Sequence, residues 1–132
     1  MSDGQRDLEK LGRSTVDGLI ELVDALLAAE QADDLRVLDE AQEAIQNDAL
    51  SVQVRGDWHS PGAEAEDVEY NILLGWGGPA MRLVGELNEH GQPETATVET
   101  QDWGTPWTDF LGTTDEEDEK LLRYASCFYF GE

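Results

Sequence analysis

The stretch Leu50-Ser51-Val52-Gln53-Val54-Arg55 decides the fold, because apolar and polar residues alternate through it without a break. A period of two sends every second side chain to one face, the pattern of a half-buried strand. Upstream the period is different. Val16, Leu19, Ile20, Leu22, Val23, Leu26 and Leu27 recur at helical spacing, and Leu35, Leu38, Ala41 and Ile45 form a second apolar stripe. Ser14-Thr15-Val16-Asp17 has the form of a capping box with Asp in the Glu position, so the first helix is predicted to open at Ser14. Residues 1–13, polar and of mixed sign with Arg6, Lys10 and Arg13, read as a flexible arm or a weak first helical turn. Asp33 or Asp34 can cap the second helix and Asn47-Asp48 ends it, which predicts an antiparallel helical hairpin over 14–47.

Downstream the chain keeps the short period. Residues 68–74, 80–87 and 94–102 read as three further strands, separated by Gly75-Trp76-Gly77-Gly78-Pro79 and by a turn over 88–93. Connections this short predict a four-stranded antiparallel meander over 49–103. Residues 108–111 read as a single helical turn. Thr114-Asp115-Glu116-Glu117 is a capping box that opens a last helix, expected over 114–130 with Leu121, Leu122, Ala125 and Phe128 on its apolar face. Helices and strands that segregate in this way predict an α+β fold: an N-terminal helical hairpin, the sheet, and a C-terminal helix packed on it. At 132 residues the chain fits a single domain, 1–132, with one core.

Charge is the outlying property. Thirty Asp and Glu stand against eight Lys and Arg, a net charge of −22, while 39% hydrophobic residues leave enough apolar material for a folded core. A folded chain of this length is about 36 Å across. Duplex DNA of that length carries about 21 negative charges at one per ~1.7 Å, so the density needed to imitate it is available. Self-repulsion destabilises a compact state, which implies that the charge serves a purpose: a basic partner, or a saline cytoplasm, since lysine is limited to Lys10 and Lys120.

The carboxylates fall into groups. Asp17, Glu21 and Asp24 stand at i, i+4 and i+7 on one helix face, and Asp39, Glu40 and Glu43 are expected to do the same on the second helix. A loop group comprises Glu64, Glu66, Asp67 and Glu69, and the run Asp115, Glu116, Glu117, Asp118 and Glu119 opens the last helix. The macrodipole explains about two members of that run, which leaves the others available for contact. These fifteen residues are the candidate partner-binding set.

Other chemistries are weakly supported. His59, His90 and Cys127 lie far apart without metal-ligand spacing, and no acidic loop follows the calcium-binding pattern. Ser14, Ser60 and Ser126 lack a nucleophile-elbow context. No enzyme activity, metal or cofactor is therefore expected, and the surface charge argues against direct nucleic-acid binding. The single cysteine, Cys127, lies in an apolar run and is expected to be a buried small hydrophobe. No run approaches the ~20 apolar residues of a membrane span, and a cytoplasmic location is expected. Trp58, Trp76, Trp103 and Trp107 sit in or beside Gly- and Pro-containing loops, where they either lock irregular backbone or meet a partner.

The segment Asn71-Ile72-Leu73-Leu74-Gly75-Trp76-Gly77-Gly78-Pro79-Ala80-Met81-Arg82-Leu83-Val84-Gly85-Glu86-Leu87, with Gln101-Asp102-Trp103-Gly104-Thr105-Pro106-Trp107, resembles stretches of small proteins of phages and mobile elements. In size and acidity the chain is similar to the anti-restriction and anti-CRISPR proteins that act as DNA mimics. That resemblance implies a basic nucleic-acid-binding partner, such as a CRISPR effector or a restriction enzyme, met in the host cytoplasm. The alternative is a salt-adapted small acidic binding protein with no nucleic-acid connection.

Overall fold

A computed structural model describes residues 3–56, 58–63, 67–75, 79–102 and 105–130. Its first helix, α1, runs Asp3–Ala32 and so begins eleven residues before the capping pattern at Ser14. The flexible arm expected over 1–13 is corrected to helix for its described residues, 3–13. Ser14 lies inside the helix, where Thr15 Oγ1 donates to the Leu11 carbonyl at 2.7 Å instead of capping an N-terminus. Just before Ser14 the helix is held by long-range contacts. Gly12 presses the helix so closely on Phe110 that a Cβ there would lie 2.5 Å from the ring, and Arg13 reaches across to Glu117.

Helix α2, Leu35–Asp48, opens at Asp34, whose carboxylate accepts from the Arg36 N–H at 3.0 Å. Asp33, at φ +54°, turns the chain between the two helices. The strands follow as β1 (Ser51–Gly56), β2 (Asp67–Gly75), β3 (Ala80–Glu86), β4 (Thr97–Gln101) and β5 (Thr108–Asp109), then helix α3 (Asp115–Ala125). All neighbours are antiparallel in the order β1-β2-β3-β4-β5. The sheet thus has five strands where the sequence predicted four. Residues 108–111 do not form a helical turn; Thr108 and Asp109 pair with Thr100 and Glu99, a contact no local pattern announces. Strand β4 is also shorter than the predicted 94–102.

Helix α3 has the capping box expected of Thr114 and Glu117, but it stops at Ala125 instead of continuing to 130. Ser126 Oγ donates to the Leu122 carbonyl at 2.8 Å, and the chain then turns back so that Phe130 stacks on Tyr70 with ring centroids 5.0 Å apart. Helix α1 packs against both α2 and α3 and lies over β4 and β3. Val16, Leu19, Val23 and Leu26 of α1 meet Ile45, Leu121 and Tyr124 from the other helices above Tyr70, Ile72, Leu83 and Val98 of the sheet. Each fully buried side chain of this size contributes about 1.5–3 kcal/mol.

Gly85 makes room for one further tie. A methyl group there would overlap the Thr95 carbonyl oxygen and the Tyr70 hydroxyl, which donates to that carbonyl across the strand. The helix layer is centred on β4 and β3 rather than on β1. Val52 and Val54 face the helix side, opposite the buried Ile72 and Tyr70, yet remain 38% and 37% exposed, so the half-buried strand expected from the alternation is exposed throughout. Among the described residues, no helix is long and apolar enough to cross a membrane.

Candidate functional site

The acidic stripe of α1 and the acidic opening of α3 lie side by side because the two helices pack together. Arg13 binds Asp17 on its own helix at 2.7 Å and Glu117 on α3, and its guanidinium lies 5.7 Å from the Phe110 ring centroid. Lys120 returns the bridge, meeting Asp24 at 2.8 Å and Glu116 at 3.8 Å. Glu21 sits on the same stripe and is exposed. The result is a ridge on which five carboxylates, Asp17, Glu21, Asp24, Glu116 and Glu117, are interleaved with two cations.

The local field follows from those contacts. The Arg13 guanidinium holds the Glu117 carboxyl below its ordinary range, helped by the Thr114 backbone N–H. Glu117 in turn raises Arg13, and Asp24 raises Lys120. Both cations therefore stay charged and shared between the helices.

Other predicted contacts are not part of this ridge. Five consecutive helical residues spread around the axis at about 100° each, so the 115–119 run cannot present one face. Asp118 accepts from Thr113 Oγ1 at 2.5 Å and, with Glu119, lines a separate groove beside Thr95 and Phe110; Asp115 is exposed. On α2, Asp39 and Glu43 line a groove against Arg123 and Cys127 of the α3 end. Glu40 points elsewhere, held by Arg36 at 3.4 Å, which corrects the expectation that all three share a face. Glu64 and Glu66 lie outside the described residues. Asp67 begins β2, exposed, and Glu69 pairs with Arg55 on the sheet face that the helices leave open.

That open face carries a second candidate, a concavity of about 890 Å³ running from Gln53 and Arg55 across the sheet to Asp109. Arg82 of β3 binds Glu99 of β4 at 2.7 Å, and its guanidinium lies 4.1 Å from the Trp107 ring centroid, within cation–π range. Burial, and then a hydrogen bond shared with Asp109, raise the Glu99 carboxyl above its ordinary range despite Arg82. Asn71 Oδ1 is buried beside them with no hydrogen-bond partner among the described residues. Sequence reasoning passed over Arg82, Glu99, Asp109 and Asn71. The available signal was polar residues at alternate strand positions, which named the face but not the fifth strand that brings Asp109 to Glu99.

Of the tryptophans, Trp107 lies against the Arg82 guanidinium, while Trp58 is 99% exposed; Trp76 and Trp103 lie outside the described residues. Cys127 is half-buried, which raises its thiol, and Sγ donates to the Arg123 carbonyl at 3.4 Å. Among the described residues no group of three or more His, Cys, Asp or Glu is disposed to hold a metal ion. Comparisons with protein-family models, with curated proteins and with solved structures return no match to this chain.

Proposed function

We propose that this chain is an acidic decoy that occupies the nucleic-acid-binding groove of a basic host defence protein of the CRISPR-effector or restriction-enzyme kind. The carrying observation is the ridge at the α1–α3 seam. From Asp17 to Asp24 is about 10 Å of helix axis. Four exposed carboxylates over that length, Asp17, Glu21, Asp24 and Glu116, with Glu117 half-buried between the helices, compare with about six phosphates on a duplex of equal length, and Arg13 and Lys120 offset part of their charge. Lysine and arginine side chains of the partner would exchange their counterions for these carboxylates, so that DNA and the decoy compete for one groove. The exposed acids elsewhere add long-range steering that weakens as salt is added.

The test is a DNA-protection assay with restriction enzymes and CRISPR effectors, comparing the parent with a variant carrying Asp17→Asn, Glu21→Lys and Asp24→Asn. The parent is expected to protect, less well as salt rises, and the variant to lose protection by at least tenfold with its circular dichroism spectrum unchanged. Equal protection by both moves the contact away from the ridge, and no protection by the parent against any enzyme in the panel ends the proposal. The scarcity of lysine supports a second reading, a salt-adapted binding protein. That reading requires unfolding in dilute buffer and rising stability up to molar salt, whereas the decoy stays folded near 0.1 M.

A further inference from the structure

The outer edge of β1 is the exception to the chemistry of this surface. In a chain with thirty acids, Ala49 to Gly56 contains none and carries the single cation Arg55. The strand is six residues long, terminates the sheet, and is exposed along its whole length. It contains no proline, and its helix-side face shows Val52 and Val54 beside Leu50, itself 60% exposed. An edge with unpaired backbone groups and an apolar face is a template for strand addition.

We infer that β1 docks a second copy of this chain, edge to edge and antiparallel, about a two-fold axis through Gln53 and perpendicular to the sheet. The strand's own sequence chooses that occupant. Rotation about Gln53 sets Val52 against Val54 of the second copy and Val54 against its Val52, apolar against apolar on one face. On the other face Gln53 meets its own equivalent, and Arg55 lies opposite Ser51 with no cation facing it. Elsewhere two copies of net charge −22 repel; this is an edge along which they can approach without setting acid against acid. The two helix layers then lie on the same side of a joined ten-stranded sheet. The concavity lined by Gln53, Arg55 and Glu69 meets its equivalent at the axis, so each open face is extended by residues of the other copy.

Long-range repulsion opposes the pairing and is screened by salt, so the dimer strengthens as salt rises, the reverse of the trend for a cationic partner. Sedimentation velocity at tens of micromolar chain is expected to show monomer at 10 mM salt and a species of twice the chain mass at 0.5 M. A variant with Val52→Lys and Val54→Lys should remain monomeric at both, with a circular dichroism spectrum that shows the fold retained. In a Cys127→Ser background, Gln53→Cys should form an intermolecular disulfide under mild oxidation at 0.5 M salt, while Ser60→Cys should not. Monomer at every salt concentration, a lysine variant that dimerises like the parent, or equal cross-linking from positions 53 and 60 each overturns the inference.

Discussion

The α1–α3 ridge and the open sheet face use the same residue types to opposite ends. On the ridge, Asp17 and Asp24 are 64% and 54% exposed, so the acids that Arg13 and Lys120 hold there stay in water even though Lys120 itself lies mostly between the two helices. On the sheet face, Arg82 and Glu99 are 24% and 15% exposed, stacked under Trp107 and crowded by Asp109. The difference teaches that exposure, more than the count of acids, decides whether a carboxylate is a surface to be read or a part of the fold. Exposed pairs contribute little because water competes for both partners. Half-buried pairs contribute through what is lost when one partner is removed.

The comparison breaks first, and by the largest amount, at the cations. Arg82→Met should cost about 2 kcal/mol by denaturant unfolding, because Glu99 is left half-buried without its counter-charge, and should alter Trp107 fluorescence. Lys120→Met, on the ridge, should scarcely move the same unfolding curve. Equal losses from the two would erase the distinction.

A smaller effect sharpens it. Glu99 should titrate above, and Glu117 below, the ordinary carboxylate range in a carbon-detected NMR titration, and Asp109→Asn should move Glu99 downward while leaving Glu117 in place. The signs for stability are opposite. The Glu99 contribution is complete below its unfolded-state value and is lost as pH rises through its raised folded value. The Glu117 contribution is present above its unfolded-state value and is lost as pH falls through its lowered folded value.

The smallest effect lies in the acid limb of the stability curve. Arg13→Gln should flatten the loss of stability below the ordinary carboxylate range that parent protein shows, since Glu117 would no longer be held low; thermal melts at closely spaced acidic pH values would register it. An unchanged limb would mean that the seam does not couple to folding.

Local chemistry made much of the architecture legible. The change of period at Leu50, the box at Thr114 and the cap at Asp34 each act within a few residues, so the sequence displays them directly. What was missed depends on partners distant in the chain. The stretch of α1 at Gly12 and Arg13 is held by Phe110 and Glu117, β5 exists because β4 lies beside it, and the tail after Ala125 follows Tyr70. The same division holds for the candidate sites. The α1 stripe follows from spacing alone, but its union with Glu116 and Glu117 needed the helix packing, and the Arg82–Glu99–Asp109 group draws one residue from each of three strands.

The two ends of the sheet also differ, with a consequence for stoichiometry. Strand β5 is two residues long, carries Asp109 and follows Pro106, so it offers scarcely any ladder to an incoming chain. Open-ended polymers need an adhesive border on both sides of each unit. If copies pair along β1, no second long sheet edge is left among the described residues, so association by strand addition would terminate at a closed pair instead of continuing into a fibre.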